Sequence, residues 1–500
     1  MSFYHTTKEK ARILFQPGEG LYQRTVRSGF WVFALRITEQ LFGIVRLIIL
    51  ARVLIPHDFG LMGIALLTMA TLETFTQTGF KEALIQKKED IRSYLDAGWT
   101  VLILRGFILF VVLYLIAPYA AVFFKASEAK LIIQVIGFSV LLQAFTNIGV
   151  IYFQKELEFN KEFIYQLAGT LADFIVAVSA VLILQNVWAL VFGLLAGNAA
   201  RCFVSYLIHP YRPHLSRDLG KAKELFGFGK WILGSSMLIF LITQGDDIFV
   251  GKLLGVTALG FYQLAYRISN MPATEITQVI SQVTFPAYSK LQDDIPKLKE
   301  AYLKVLQLTA FLSFPIAGLI FVLAPDFTKI FLGEKWIPMV PAMMVLVWWG
   351  VIRAIGGING SLLQAVGEPD ILTKLNVIKL VIIIILIYPF SIKWGIVGTS
   401  LAVLLSAIFI TPNTFFIVIS RVLRIKIRVV LKTVSISFAG TAFMVLLLAL
   451  FTPDNLSLAE FILAALTGVT CYLLVTYLLD SILKHKIWHN LKNVTSGVLK

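Results

Sequence analysis

Charged residues within an apolar stretch near the N-terminus are the first feature of this sequence that could carry chemistry. Residues 29–65 contain a segment long enough to cross a bilayer, and that segment includes Arg36, Glu39 and Arg46. On a helix this spacing places the three side chains on one face. A charge at membrane depth costs about 2.5–3.5 kcal/mol on insertion scales, so we expect this face to look into protein or water.

The same stretch recurs 200 positions later, over residues 229–265, and aligns without a gap. Trp31 aligns with Trp231, and Arg46 falls opposite Asp246. Later landmarks, including the tryptophans that begin two predicted helices, match at shifts of 206 and 207. The chain therefore reads as a duplicated protein with a charged helix in each half.

The composition is that of a polytopic α-helical membrane protein. Of the 500 residues, 58% are hydrophobic and only 15% are charged, with a mean hydropathy of +0.82. Apolar runs of about 20 residues favour spanning helices, whereas a β-barrel would show short alternating segments. Cys202 and Cys471 both lie in predicted helices, so neither a disulfide framework nor a metal site is indicated. No motif nominates a catalytic centre or a cofactor, and we expect a protein that is not an enzyme.

The apolar runs predict an all-α fold of about 14 transmembrane helices. The duplication arranges twelve of them as two six-helix lobes in a parallel repeat and leaves two extra helices at the C-terminus. The predicted division is a cytoplasmic segment 1–27, an N-lobe 28–207, a linker 208–228, a C-lobe 229–419, a basic amphipathic linker 420–432, helices 13 and 14 within 433–480, and a tail 481–500.

The net charge of +15 follows the topology of the chain and does not indicate a nucleic-acid partner. Thirty lysines and arginines lie in one alternating set of connections and seven in the other. Basic residues accumulate in cytoplasmic connections, so this asymmetry places both termini in the cytoplasm.

Equivalent positions of a parallel repeat lie at the same depth on opposite sides of the central axis. Arg46 is therefore predicted to pair with Asp246 or Asp247 and to close the outer mouth of a cavity, with Glu39 on the same face as Arg46. A static ion pair that only holds helices together is the alternative. Charge reversal at both positions would restore stability and transport together if the pair is static.

Further charges inside the apolar helices suggest a site for an anion. Arg36, Arg267, Arg353 and Arg105 could converge on a cavity, and guanidinium forks bind phosphate or pyrophosphate oxygens bidentately. The alternative for Arg36 is a pair with Glu39 on the same helix.

Two acidic residues are candidates for ion coupling. Asp173 could hold a proton or sodium ion, or could be an interhelical partner. Glu275, on the same predicted helix as Arg267, is a second coupling candidate.

The sequence around the seventh and eighth predicted helices resembles that of a known family. The blocks at 251–268 (GKLLG…LGFYQLAYRI), 285–292 (FPAYSKLQ) and 51–61 (ARVLIPHDFGL) are similar to polysaccharide-export flippases of the MATE-like multidrug/oligosaccharidyl-lipid/polysaccharide superfamily. The likeness covers nearly the whole chain, and the predicted helix number and duplication agree with it.

The resemblance implies a flippase that moves an undecaprenyl-diphosphate-linked oligosaccharide to the outer face of the bacterial plasma membrane by alternating access. It implies membrane lipids and the lipid-linked sugar as partners, with a polysaccharide polymerase and export proteins as further candidates, and a monomer. Arg36 and Arg267 match in kind the cavity arginines of related flippases. Two alternatives remain. A MATE-type cation-coupled exporter would prefer an anionic cavity. A membrane-embedded polysaccharide polymerase or ligase typically has a sizeable outer loop.

Overall fold

The computed structural model describes residues 21–77, 79, 84, 91–216, 218–453, 455–483 and 488, so the predicted N-terminal segment and C-terminal tail lie largely outside the described residues. The helices are α1 Leu21–Val53, α2 Pro56–Phe75, α3 Arg92–Phe123, α4 Ala129–Ala144, α5 Ile151–Lys155, α6 Phe159–Leu184, α7 Trp188–Ile208, α8 Leu219–Leu253, α9 Val256–Leu291, α10 Ile295–Phe327, α11 Val340–Ala365, α12 Pro369–Ile417, α13 Ile427–Phe451 and α14 Leu458–Leu483. Short 3-10 and π segments join some of them.

The predicted all-helical membrane class is confirmed. Among the described residues, nine helices are long and apolar enough to cross a membrane, or ten if the pair Ala129–Ala144 and Ile148–Lys155, bent by 68°, forms one span. The long helices α1, α8 and α9 are not among them; charged and amide residues interrupt their apolar runs. The number 14 and the two-lobe repeat stay predictions.

The chain divides into two compact units, residues 1–240 and 241–500, and the division falls within α8. In the N-terminal unit, α6 packs along both α7 and α1, while α4 packs against α2, α3 and α7. In the C-terminal unit, α11 packs against α9, α10 and α12, and α13 and α14 pack on α10. The predicted lobe boundaries are not tested by this division and stay predictions.

The core of the C-terminal unit contains buried tyrosines whose hydroxyl groups need partners. Tyr302 on α10 is fully buried and donates to Asn359 Oδ1 on α11 at 2.6 Å. Tyr472 on α14 donates to the backbone carbonyl of Phe311 on α10 at 2.8 Å. These bonds fix α10, α11 and α14 against one another, because a buried hydroxyl without a partner would be costly.

The helix α12 contains a sharp break in the region where the sequence predicts the end of one span, near 390, and the start of the next at 394. Trp394 and Gly395 leave helical geometry, and Gly395 adopts a positive φ of 57° that only glycine adopts freely. The hydroxyls of Ser391 and Thr399 lie 2.7 Å apart across the break. This hydrogen bond links the two segments of α12 across the break.

The first residues of the predicted inter-lobe linker are tied to α3. The Tyr211 hydroxyl donates to Asp96 Oδ1 at 2.7 Å, and the backbone N–H of His214 donates to the same oxygen at 2.8 Å. Burial and the neighbouring Asp96 carboxylate raise the pKa of Tyr211, so its hydroxyl stays protonated as a donor. The second predicted linker, 420–432, is partly helical, because α13 already begins at Ile427.

Close packing of α6 on α7 depends on glycines. A Cβ added at Gly193 would lie 2.6 Å from Asp173 Oδ1 and 2.7 Å from Ala177 Cβ. Both distances are shorter than real Cβ contacts, so a side chain here would push the two helices apart.

We expect Gly193→Ala to destabilise the protein by about 1–3 kcal/mol through overpacking. The matched control is Gly356→Ala on α11, where no atom lies within 4 Å of the added Cβ and better helix propensity should leave stability unchanged or slightly higher. Thermal unfolding of the purified protein, followed by tryptophan fluorescence, measures both. Equal midpoints for the two variants would contradict the packing account.

Candidate functional site

An ion pair joins α1 to α6 inside the N-terminal unit. The Arg46 guanidinium donates to Asp173 Oδ1 at 3.0 Å, and only 19% of Arg46 and 26% of Asp173 are exposed. The contact neutralises two charges that would each be costly alone in hydrocarbon. Among the described residues, Nε of Arg46 has no hydrogen-bond partner, so the guanidinium keeps one donor for a further acceptor.

The structure gives Arg46 a different partner from the predicted one. The sequence paired Arg46 with Asp246 or Asp247, because it shows which positions are equivalent in the repeat but not which helix lies beside α1. Asp173 has here the contact of an interhelical partner, which was one of its two predicted roles. A gate between Arg46 and the two acidic residues of α8 stays a prediction, as does ion coupling at Asp173.

Arg36 and Glu39 lie on one face of α1, and both side chains are half-buried. Each interacts with other groups. Arg267 and Glu275 both belong to α9, with Arg267 exposed and Glu275 half-buried. Their predicted roles in binding and coupling stay predictions.

Arg105 has a structural explanation that the sequence did not suggest. Its Nε donates to the backbone carbonyl of Thr76 at 2.9 Å and to the Thr76 hydroxyl at 3.2 Å, and a terminal nitrogen donates to the carbonyl of Glu73 at 2.9 Å. These acceptors lie at the C-terminal end of α2, where the last carbonyls lack helical partners and a cation is favoured. The contacts make Arg105 a helix cap and engage two of its five N–H donors, and its predicted role in the cavity stays a prediction.

Asp246 and Asp247 occupy the interior of the C-terminal unit. Asp246 is 4% exposed and accepts a hydrogen bond from the Tyr262 hydroxyl at 2.7 Å. Gln263 Nε2 donates to Asp247 Oδ2 at 3.3 Å. The Oδ1 atom of each carboxyl has no hydrogen-bond partner among the described residues. Adjacent buried carboxylates with unmet acceptors need a positive charge nearby.

Positive charge is supplied by α11 and α12. The Arg353 Cζ atom lies 5.4 Å from the ring centroid of Trp349, and the Lys379 Nζ atom lies 5.5 Å from the same centroid. Arg353 is a predicted site residue; Lys379 was missed, since its position suggested only a side chain reaching the membrane surface. The signal that could have found it is its place in the repeat, because Lys379 and Asp173 each precede a helix-starting tryptophan by 15 residues.

A second residue that the sequence reasoning missed is Arg201 on α7. Its Nε donates to Gln166 Oε1 on α6 at 3.1 Å, and a terminal nitrogen lies 3.4 Å from Asn198 Oδ1. The guanidinium lies against Gly169, where an added Cβ would come within 2.5 Å of it. Arg201 is thus held by amide groups and a glycine notch inside the N-terminal unit. Among the described residues, no group of three metal-ligating side chains could hold a metal ion.

The arrangement of helices is shared with solved transporters. The structure of "Lipid II flippase MurJ, inward closed conformation" matches with a TM-score of 0.71 over 90% of this chain and 98% of MurJ, at 14% identity. The inward-facing conformation of a multidrug resistance MATE family transporter of the MOP superfamily matches with a TM-score of 0.60 over 77% of this chain and 94% of that chain, at 17% identity. The protein thus has the multi-pass helical fold of these transporters.

Sequence similarity identifies the family. The chain is 26% identical over 451 residues to the lipopolysaccharide biosynthesis protein WzxC of Escherichia coli (strain K12), which covers 90% of this chain and 88% of WzxC. The model of the family described as "Polysaccharide biosynthesis protein" matches residues 49–341, more than half of the chain. The chain belongs to this family, and the predicted resemblance is confirmed.

The contact of Arg46 with Asp173 can be tested by a double-mutant cycle. We expect Arg46→Gln and Asp173→Asn each to destabilise the protein by about 2–4 kcal/mol, because each leaves a buried charge unpaired, while the double variant loses less than the sum. Thermal or denaturant unfolding of the four proteins gives the coupling. The control cycle combines Arg46→Gln with Glu158→Gln, whose carboxylate pairs with Lys161, and here the stability effects should add. Additive effects in the first cycle would contradict the described pair.

Proposed function

We propose that this protein is a flippase that translocates a polyprenyl-diphosphate-linked oligosaccharide repeat unit across the bacterial plasma membrane for exopolysaccharide or lipopolysaccharide biosynthesis. The observation that carries the proposal is the presence of several arginines inside apolar helices of a chain from the polysaccharide biosynthesis family. Two likenesses support it: the fold of a protein named as a lipid II flippase, and the sequence of WzxC.

The chemistry of the substrate explains why such residues are needed. A sugar chain and a diphosphate cannot enter hydrocarbon, whereas an apolar polyprenyl chain dissolves in it. A passage with cationic walls and a lateral opening would shield the head and leave the tail in lipid. We assign Arg36, Arg267 and Arg353 to this passage, because guanidinium forks match phosphate oxygens. Arg105 is the fourth member of the set, since the end of α2 engages only two of its five N–H donors.

Transport by alternating access requires two states with opposite mouths sealed. We assign Arg46, Glu39, Asp246 and Asp247 to the outer closure. The spare donor on Arg46 and the unpartnered oxygens of the two aspartates support this assignment, because each could take a new partner in another state. Asp173 and Glu275 are the candidates for coupling to an ion.

The proposed setting follows from the topology predicted above. The protein has 14 spans in two six-helix lobes with two further helices, and it works as a monomer in the plasma membrane with both termini in the cytoplasm. A polysaccharide polymerase and export proteins act on its product. Transport of the lipid-linked sugar, without covalent change, makes it a transporter and not an enzyme.

A MATE-type cation-coupled exporter is the second candidate, favoured by the shared fold and by the adjacent carboxyls of buried Asp246 and half-buried Asp247. Such a protein would move small cations, for which the arginines of α1, α9 and α11 would be unfavourable neighbours. A polymerase or ligase has less support: the segment 325–338, predicted to be the longest outer connection, is mostly a π and a 3-10 helix.

Reconstitution tests the proposal directly. In proteoliposomes, we expect the wild-type protein to flip a fluorescent polyprenyl-diphosphate oligosaccharide and not to transport a cationic dye. Arg36→Ala combined with Arg267→Ala should lower the initial rate at least tenfold, because a hydrogen bond to a charged group contributes about 1.5–3 kcal/mol. The rate at which the headgroup becomes accessible to an outside quencher is the measurement.

The matched control is Lys393→Ala, an exposed basic residue at the break of α12. It should flip at the wild-type rate. Unchanged flipping by the arginine double variant would remove the assigned passage, and dye transport without flipping would establish the exporter instead.

A further inference from the structure

Two cationic side chains of the C-terminal unit share one buried tryptophan. Trp349 is 3% exposed, and both Arg353 and Lys379 lie within 5.5 Å of its ring centroid. Arg353 follows Trp349 by one turn of α11, while Lys379 comes from α12. A tryptophan face attracts cations through its quadrupole, so the ring can hold both charges close together.

The two cations and the indole N–H of this cluster have no acceptor among the described residues. Neither Arg353 nor Lys379 is in an ion pair within the part of the chain that the structure describes. The indole N–H of Trp349 is buried there without a hydrogen-bond acceptor. Buried donors are almost always paired, and two neighbouring ammonium and guanidinium groups repel each other. An anion with several oxygens would satisfy all three donors at once.

One acid of α8 interacts electrostatically with this cluster. Asp246 and Lys379 attract each other electrostatically, although they form no direct ion pair. The aromatic row Tyr262, Tyr266 and Trp349 connects them, with ring centroids 6.4 Å and 5.2 Å apart. Since Asp246 accepts from Tyr262 and keeps Oδ1 unpartnered, it could still receive the ammonium.

The N-terminal half contains the equivalent pair with its charges exchanged. Arg46 and Asp246 align in the duplication, and Asp173 and Lys379 lie at equal distances before the tryptophan of the next helix. In the N-terminal unit the two groups are in contact at 3.0 Å, whereas in the C-terminal unit the ammonium lies on the indole ring instead. The two opposite charges are thus in contact in the N-terminal unit and separated in the C-terminal unit.

We infer that Lys379, Arg353 and the Trp349 N–H form a binding site for a phosphate-class anion, with Asp246 competing for Lys379. The inference rests on the proposed function, under which the anion is the diphosphate of the transported lipid. A bound diphosphate holds the ammonium on the ring side. When the diphosphate leaves, the ammonium returns to Asp246 and cancels its charge.

The position of the cluster along the helices suits this role. Lys379 is ten residues into α12, about 15 Å at 1.5 Å per residue, and Arg353 is 13 residues into α11, about 20 Å. Helices entering from opposite sides of a hydrocarbon core about 30 Å thick would bring both residues near its middle. A headgroup needs its strongest contacts at that depth.

Binding to the full-length protein in phosphatidylcholine nanodiscs tests the site. The probes are inorganic pyrophosphate, followed by calorimetry, and a fluorescent polyprenyl diphosphate, followed by anisotropy. We expect Lys379→Gln and Arg353→Gln each to raise the dissociation constant about tenfold or more, because each removes a charge-assisted contact. Lys379→Arg should retain most of the affinity, and Trp349→Phe, which keeps the ring but loses the N–H, should weaken binding several-fold.

The matched control is Lys393→Gln. Lys393 also lies on a tryptophan, 4.7 Å from the ring centroid of Trp394, but that ring is 46% exposed and carries no second cation. This variant should bind both probes as the wild type does. Thermal unfolding of every variant identifies losses of binding that come from misfolding. The affinity of Lys379→Arg then shows whether binding depends on a positive charge at this position.

Asp246→Asn gives a result of opposite sign. Removing the competing acid should tighten binding of both probes several-fold, which a merely structural role of Asp246 would not do. If only the lipid probe responds to these substitutions, the site binds a lipid headgroup. If both probes respond, the site also binds the free anion. Either result supports the proposed site.

Wild-type affinity in Lys379→Gln and Arg353→Gln would overturn the site while leaving the flippase intact, since the wild-type protein still binds and flips the lipid. A wild-type protein that binds neither probe would overturn the site and the proposed function together.

Discussion

The high free energy of a charge in hydrocarbon is the constraint on which this structure depends. Every charged side chain within the described helices must find an opposite charge, a polar group, an aromatic face or water. Arg46 has Asp173, Arg105 has the carbonyls at the end of α2, and Arg201 has amides. Lys379 and Arg353 lie on an indole ring and, among the described residues, form no ion pair; the ring compensates less than a carboxylate does. The helices are thus arranged around charges that are neutralised to different degrees.

The difference between the halves gives this constraint its functional meaning. A closed pair such as Arg46–Asp173 stabilises helix packing, and glycines on α7 permit the close approach that it needs. In a separated pair such as Asp246 and Lys379, the two charges still attract each other, and a bound anion can compete with Asp246 for Lys379. Under the predicted duplication, equivalent positions of the two halves can diverge to take these two roles while the surrounding fold is kept.

The all-helical membrane class could be predicted from the sequence, since long apolar runs are a local signal, whereas the 14 spans, the two-lobe repeat and the topology drawn from the basic connections stay predictions. The charged residues were also evident, because Arg36, Arg353 or Asp246 stands out in an apolar run. Their partners were not evident, since nothing in the sequence says that α6 lies beside α1 or that Arg105 reaches the end of α2. Lys379 was missed for the same reason, because the tryptophan that it contacts lies on another helix.

The central claim is that arginines of these helices line a water-accessible passage for an anionic headgroup, and thiol accessibility tests it most directly. In a background with Cys202 and Cys471 replaced, single cysteines at positions 36, 267 and 353 would be treated with a membrane-impermeant thiol reagent. A cysteine at Ile385, on the exposed apolar surface of α12, serves as the lipid-facing control. The account predicts labelling at the three arginine positions, protection by a polyprenyl-diphosphate sugar, and no labelling at the control. Unreactive cysteines at all three arginine positions, or labelling that the substrate does not affect, would contradict it.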